Sequence, residues 1–362
     1  MQYRLPTAFY AFAMTTSPLA NLTLSVLDLA AILDGHTAAD TFRNTVDLAR
    51  HAEQWGYRRY WLAEHHNMAS IASSATSILI GHVAGSTTTI RVGSGGIMLP
   101  NHAPLVIAEQ FGTLASLYPG RIDLGLGRAP GTDQLTAQAL RRDQHTAAND
   151  FPQNVQELQT YLSAENRGSR VRAVPGEGLD IPIWLLGSST YSAQLAALLG
   201  LPFAFASHFA PTYLHEALRL YRNNFRPSAQ LSEPYAMACV NVIAADTDEE
   251  AERLATSFYV FALGIIRGTT LPLQPPLASM DGYWTDYEEA AVRQMMTYVF
   301  IGGPETIARK LAAFKEQTQV QELMVVSHIY DPAARLRSYE ILAELAGTAQ
   351  QAVKVEVVPN QV

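Results

Sequence analysis

The sequence has a single cysteine, and this scarcity excludes several kinds of structure. Cys239 lies inside the apolar run 235–245. With no second cysteine, the chain can form no internal disulfide and no cysteine-rich metal site. We interpret Cys239 as a buried strand thiol.

Long apolar runs and an excess of positive charge are also absent. No window of about 18 uninterrupted apolar residues occurs, so we predict no membrane-spanning helix. The net charge of −8 gives no electrostatic footprint for nucleic acid or an anionic membrane. The N-terminal stretch lacks the features of a secretory signal. We therefore expect a cytoplasmic protein without nucleic-acid or membrane partners.

What is present is a regular alternation of short apolar strands and amphipathic helices. Of the 362 residues 48% are hydrophobic and 16% are charged, which suffices for a large core. Eight strands are predicted, at 24–29, 59–63, 90–98, 121–128, 181–186, 203–207, 235–245 and 322–327. Helices are predicted at 39–54, 73–84, 103–117, 150–162, 190–199, 211–224, 248–263, 304–318 and 332–345.

This alternation predicts an α/β fold, a (β/α)8 TIM-type barrel with insertions after strands 4 and 7. An open doubly wound sheet would carry a glycine-rich phosphate loop after its first strand, and none is present. The nearest pattern runs from Gly125 to Gly131, and its last glycine comes late and behind a proline. We predict an N-terminal extension at 1–23, one barrel domain at 24–346 and a C-terminal tail at 347–362.

Polar residues follow several of the predicted strands, at the end where such barrels carry their active sites. They include Glu64-His65-His66-Asn67, Gly95-Gly96 with Asn101-His102, Arg128, Gly187-Ser188-Ser189 and Ser207-His208. Neighbours on an extended segment point to opposite sides, so His65 and His66 are poor joint ligands for one metal ion. We predict no metal site, and we expect at least one of these histidines to face a ligand and move a proton.

Two features of this rim suit an anion. Gly187, Ser188, Ser189 and Ser192 flank the start of a predicted helix, whose backbone N–H groups and dipole attract negative charge. Arg128 requires an anionic partner, which is either a phosphate or a carboxylate of the protein such as Asp123 or Glu109. The adjacent glycines Gly95 and Gly96 lack Cβ atoms, so they form either a strand-end turn or a backbone surface for a flat ligand.

Four segments together resemble the bacterial luciferase-like flavin monooxygenases, in the alkanal-monooxygenase-like single-subunit branch. They are Tyr60-Trp-Leu-Ala-Glu-His-His-Asn67, Val92-Gly-Ser-Gly-Gly-Ile-Met-Leu-Pro100, Arg121-Ile-Asp-Leu-Gly-Leu-Gly-Arg128 and Leu185-Leu-Gly-Ser-Ser189. The resemblance runs over residues 24–345. It implies a barrel that binds FMN, with the reduced form arriving as a co-substrate from a separate flavin reductase.

The resemblance also assigns site residues. Gly95-Gly96 matches a non-proline cis peptide beneath the isoalloxazine ring, and His65 matches a catalytic histidine with His66 as its neighbour. Cofactor-phosphate positions match Arg128, Ser188 and Ser189, together with Tyr191 or Ser192, and we also expect Gly187 to contact the cofactor. The irregular stretch 267–288 matches a mobile lid, and helices 73–84 and 103–117 match a homodimer interface.

The implied activity is oxygenation of a small, mostly apolar organic substrate by O2 through a flavin C4a-(hydro)peroxide. Gly127 stands where the luciferases carry a reactive cysteine, and the glycine pair also differs from their cis site. These departures weaken the case for light emission. A deazaflavin-dependent oxidoreductase and a non-catalytic flavin-binding protein remain alternatives, whereas a hydrolase is disfavoured because no Gly-x-Ser-x-Gly elbow occurs.

Overall fold

The computed structural model describes residues 19–20, 22–129, 133–140, 150–269 and 271–348. Its strands are β1 (Thr23–Asp28), β2 (Arg59–Leu62), β3 (Arg91–Ser94), β4 (Ile97–Met98), β5 (Ile122–Gly127), β6 (Ile183–Gly187), β7 (Phe203–Phe205), β8 (Ala236–Ala244), β9 (Val299–Gly302) and β10 (Glu322–Val326). The predicted extension at 1–23 and tail at 347–362 lie mostly outside these residues.

Eight strand positions close into a parallel barrel, as predicted. The strands neighbour one another in the order β10-β1-β2-β3-β5-β6-β7-β8, and β8 pairs back to β10. At the closure, Met324 of β10 lies opposite Cys239 of β8, and Val325 lies opposite Val26 of β1. All of these pairings are parallel, so the carboxyl ends of the strands meet at one mouth of the barrel.

Two strand predictions are corrected by the structure. The run predicted as one strand at 90–98 is split into β3 and β4, because the chain turns at Gly95-Gly96 and only β4 continues the pairing with β5. The four-residue β9 was not predicted. It lies beside the carboxyl half of β8, where Asn241 pairs with Val299, and so stands outside the closed ring.

The helices surround the barrel. They are α1 (Ala38–Gln54), α2 (Thr76–Ser86), α3 (Pro104–Leu117), α4 (Gln134–Leu140), α5 (Phe151–Leu162), α6 (Thr190–Leu199), α7 (Leu214–Asn224), α8 (Asp248–Ile266), α9 (Asp286–Met295), α10 (Pro304–Thr318) and α11 (Pro332–Ala346), with short 3-10 helices at Leu99–Asn101 and Ala164–Gly168. Several start at side-chain caps, such as the Thr37–Asp40 capping box of α1.

Some predicted helix starts shift by a few residues. The helix predicted at 73–84 begins only at Thr76, because the Ser73 hydroxyl donates to the Leu29 carbonyl at 3.0 Å and holds the preceding residues against the end of β1. The helix predicted at 211–224 begins at Leu214. No described helix is long and apolar enough to cross a membrane.

The two insertions differ in how they join the barrel. After β5, the segment 129–180 includes α5, whose Phe151, Val155 and Leu158 are buried in the main core. After α8, the irregular segment crosses towards β1, where Leu273 exchanges backbone hydrogen bonds of 2.9 Å with Ile32 and Asp34. This second segment is therefore joined by backbone hydrogen bonds to the loop after β1.

Candidate active site

A cavity of about 450 Å³ opens at the carboxyl ends of the strands. Side chains alternate along a strand, so every second residue of a barrel strand faces inward. The lining accordingly includes Trp61, Ala63 and His65 from β2 and its continuation, and Met237, Cys239 and Asn241 from β8. The cavity is large enough for an aromatic cofactor ring beside a small substrate.

The anion-binding features predicted from the sequence lie together on one wall of this cavity. Arg128 directly follows β5, and Gly187, Ser188, Ser189 and Ser192 follow β6 around the first turn of α6. Ser189 is the N-cap of α6, and its side chain makes no cap hydrogen bond. The helix start thus leaves its backbone donors for a ligand.

Arg128 has no carboxylate partner among the described residues. The alternative partner Asp123 is fully buried and already bound by Arg59 at 2.7 Å and by Arg91 at 2.6 Å. The guanidinium of Arg128 instead lies 4.1 Å from the centre of the Tyr191 ring. A cation held over an aromatic ring and facing a cavity is available to an anionic ligand.

Gly95 and Gly96 line the same cavity, and the peptide bond between them is cis, as the resemblance implies. The space that their side chains would take is filled by protein. A Cβ at Gly96 would lie 2.8 Å from the Gly125 carbonyl oxygen, and one at Gly95 would lie 2.7 Å from Leu27 Cδ1. Glycine is therefore required at Gly96, where a Cβ would meet the backbone of β5, whereas at Gly95 the tip of Leu27 would have to move.

The neighbouring histidines 65 and 66 separate as expected. His65 lines the cavity, whereas His66 is outside the lining and its Nε2 lies 2.9 Å from Oε1 of Glu64. His102 Nε2 contacts the same oxygen at 2.9 Å, and the Met98 N–H donates to Oε2 at 3.2 Å. His66 thus lies in a hydrogen-bonded cluster behind the wall that His65 forms.

Glu64 is the charged centre of that cluster. Burial alone would raise its pKa, but the hydrogen bonds from His102 and His66 outweigh burial and lower the pKa to about 2. The three possible ligand atoms on Glu64, His66 and His102 lie within 4.8 Å of one another. Both imidazoles bond the carboxylate directly. We therefore interpret the three side chains as a structural brace for the loop after β2.

The structure brings together most of the residues predicted from the sequence. Eight of them line the cavity: His65, Gly95, Gly96, Arg128, Gly187, Ser188, Ser189 and Ser192. Tyr191 lies beneath Arg128 rather than in the lining. His66 is likewise outside the lining.

Two polar lining residues were missed by the sequence reasoning. Asn241 lies at the carboxyl half of β8, and His328 follows β10 by two residues. The rule that barrel sites lie at strand ends would have found His328, since it follows the predicted strand 322–327 directly. The sequence indicates Asn241 less clearly, because it is only a single amide side chain within the apolar run 235–245.

The rest of the lining is apolar and contains many sulfur atoms. Five methionines contribute to the lining: Met68, Met98, Met237, Met295 and Met324. Phe258 and Phe261 of α8 face the same space. Such a surface excludes water, and flexible methionines adapt to varied apolar shapes. The cavity therefore combines four features: Arg128 beside the start of α6, the backbone of Gly95-Gly96, the imidazole of His65 and an apolar lining.

Comparisons with known proteins agree with this arrangement. A model of the family described as luciferase-like monooxygenase matches residues 22–322. The chain is 58% identical over 323 residues to YvbT of Bacillus subtilis (strain 168), covering 89% of this chain and 96% of that protein. It is 54% identical over 324 residues to a luciferase-like monooxygenase of Escherichia coli (strain K12), covering 90% and 97%.

Among solved structures, apo-MsnO8 superposes with a TM-score of 0.82 at 35% identity. The match covers 90% of this chain and 99% of that chain. The similarity therefore extends over the whole barrel, including the strand ends that form the cavity.

Proposed function

Since this chain belongs to the luciferase-like monooxygenase family, we propose that it is an FMN-dependent monooxygenase. In this proposal it receives reduced FMN from a separate reductase and uses O2 to oxygenate a small, mostly apolar organic substrate. The observation that carries the proposal is Arg128, which faces the cavity beside the start of α6 without a carboxylate partner among the described residues.

The residues present fit a flavin mononucleotide. Arg128 and the backbone donors at the start of α6, with the hydroxyls of Ser188 and Ser189, would hold the phosphate. The backbone of Gly95-Gly96 would lie against the ring. When bound in reduced form, the flavin supplies the electrons that activate O2.

Side chains of the protein would transfer a proton, support the catalytic loop and exclude water. His65 lies on the cavity wall, where its imidazole would move a proton. Glu64, His66 and His102 would keep the loop that carries His65 in place. The apolar and methionine-rich lining would exclude water from the reacting groups.

The test is an aerobic reaction with FMN, NADH and a generic flavin reductase, read as a gain of one oxygen in product mass over a panel of apolar substrates. We expect a product with the wild-type chain and at least a tenfold slower reaction with His65→Ala at unchanged FMN affinity. Failure to bind FMN in either redox state would refute the proposal.

Two other results would also decide against it. Tight binding of deazaflavin F420 with hydride transfer would identify an F420-dependent oxidoreductase. Binding of reduced FMN with no oxygenated product, across substrates that fit the cavity, would identify a flavin-binding protein without catalysis.

We also propose that the chain forms a homodimer through α2 and α3. The two helices lie side by side, and Tyr118 after α3 donates to the Gly81 carbonyl of α2 at 3.1 Å. Ile78 is 72% exposed and Leu117 is 64% exposed, and a dimer through these two helices would bury both side chains. Light scattering should report a dimer, and Ile78→Asp should shift it towards a monomer; a monomeric wild-type chain would contradict this.

A further inference from the structure

A second cluster of polar residues lines the cavity, and none of its members belongs to the proposed flavin site. It consists of His208 after β7, Asn241 of β8 and His328 after β10. Asn241 is 1% exposed and His328 is 6% exposed. Buried polar side chains are costly unless they are hydrogen-bonded, so the partners of each atom in this group are informative.

The hydrogen bonds of Asn241 determine where the proton of His328 lies. The Nδ2 atom of Asn241 donates to the carbonyl oxygen of His208 at 2.9 Å, and a carbonyl can only accept. The Oδ1 atom therefore faces Nδ1 of His328, at 2.9 Å. Since an amide oxygen also only accepts, His328 carries its proton on Nδ1 and presents Nε2 as an acceptor.

His328 is held neutral and in a fixed orientation. Burial, with the nearby Arg335 guanidinium, lowers its pKa to about 3. Its ring stacks on Phe258 at 4.5 Å and on Phe261 at 5.4 Å between centres. The imidazole can therefore neither charge nor turn readily, and its Nε2 is buried without a partner among the described residues.

A fixed acceptor without a partner, on a side chain that lines a cavity, indicates a donor on the ligand that fills the cavity. We propose that Nε2 of His328 accepts a hydrogen bond from an O–H or N–H group of the substrate. The inference rests on the proposed function in one respect, that the molecule bound here is the one that is oxygenated.

The charges of the lining define the substrate further. Arg128 is the one arginine or lysine among the described lining residues, and the proposed function assigns it to the cofactor phosphate. His208 is also kept neutral, since burial and the neighbouring His328 and His65 lower its pKa to about 3. The substrate class is therefore an uncharged, mostly apolar molecule that carries at least one neutral hydrogen-bond donor.

The experiment compares two thioethers that differ only in the donor. The probes are 2-(phenylthio)ethanol and its O-methyl ether, each titrated calorimetrically into the FMN-loaded protein and into the flavin-free protein. We expect the alcohol to bind about tenfold more tightly than the ether in both forms, because the ether leaves Nε2 unpaired.

The variants His328→Phe and His328→Met remove the acceptor while keeping an apolar side chain beside Phe258. In each we expect the preference for the alcohol to fall to twofold or less, with the affinity for the ether retained. The control His51→Phe, on α1 and outside the cavity lining, should keep the full preference. If one His328 variant fails to fold, the other gives the same reading.

Equal affinities in the wild-type chain would overturn the inference, as would binding of neither probe. A preference that persists in the folded His328 variants would overturn it too. FMN binding is followed separately by flavin absorbance, so loss of the proposed function and loss of this inference give different results.

Discussion

The two ends of the barrel differ in how completely their buried charged and imidazole groups are paired. At the amino end, Arg59 bonds Asp123 at 2.7 Å and Glu322 at 3.0 Å. Tyr235 donates to Glu322 at 2.8 Å, and the Ser25 hydroxyl donates to the same carboxylate. Each charge in this layer is therefore compensated within the protein.

At the carboxyl end the described polar groups are only partly compensated. Arg128 has no carboxylate partner, and Nε2 of His328 and Nδ1 of His208 are buried without hydrogen-bond partners among the described residues. Unsatisfied buried groups reduce stability, so a fold retains them where a ligand completes them. The comparison separates a layer of paired charges within the barrel from the layer that we propose binds the cofactor and the substrate.

The largest effect on stability is expected at the amino end of the barrel, where the buried charges are paired. Arg59→Met should leave Glu322 without a cationic partner among the described residues and Asp123 with Arg91 alone, and lower the free energy of unfolding by about 3–5 kcal/mol. Urea denaturation measures this value. The matched control is Arg219→Met, whose pair with Glu216 is exposed on α7 and should give no measurable change. Similar stabilities for the two variants would remove the distinction between the ends.

A smaller loss is expected for Glu64→Gln, in the brace behind His65. The neutral amide weakens the bonds to His66 and His102, and we expect a loss of about 2 kcal/mol at neutral pH. The pKa of Glu64 falls from an ordinary 4.5 to about 2 on folding. Its contribution is thus present above pH 4.5 and is lost as pH falls towards 2.

Urea denaturation at several pH values between 2 and 7 tests the sign of this effect. The wild-type chain should lose more stability than the Glu64→Gln chain over the interval from pH 4.5 to pH 2. Parallel losses in the two chains would show that the carboxylate of Glu64 is not held by the two imidazoles.

The smallest effect is expected from single hydroxyls at the start of α6. Ser188→Ala and Ser189→Ala should each weaken FMN binding by about two- to tenfold, because each removes one hydrogen bond to a charged group while the backbone donors remain. Fluorescence titration of FMN measures this. Ser169→Ala, outside the cavity lining, serves as the control; equal effects at all three positions would argue against a phosphate at α6.

Much of the barrel could be predicted because its signals are local. Apolar runs of four to nine residues and the caps of α1, α10 and α11 are readable along the chain, and α6 and α10 have the predicted bounds. The strand β9 could not be read in the same way. Its four residues become a strand only because the carboxyl half of β8 extends beyond the barrel and offers a partner.

The candidate site was predictable only in part, for a related reason. Arg128 and Ser188 follow strands whose ends are visible in the sequence, so they could be named. That Asp123 is already bound by Arg59 and Arg91 depends on contacts between distant strands. The acceptor role of His328 likewise depends on Asn241 and on the carbonyl of His208, which no local pattern reports.

The central claim is that Arg128, at the carboxyl end of the barrel, binds the phosphate of FMN. FMN and riboflavin differ only in that phosphate. Their four affinities for the wild-type and Arg128→Ala chains therefore isolate the interaction between Arg128 and the phosphate. We expect FMN to bind the wild-type chain at least about tenfold more tightly than riboflavin, and the two to bind Arg128→Ala with affinities that differ by far less. An equal preference for FMN in both chains would contradict the account.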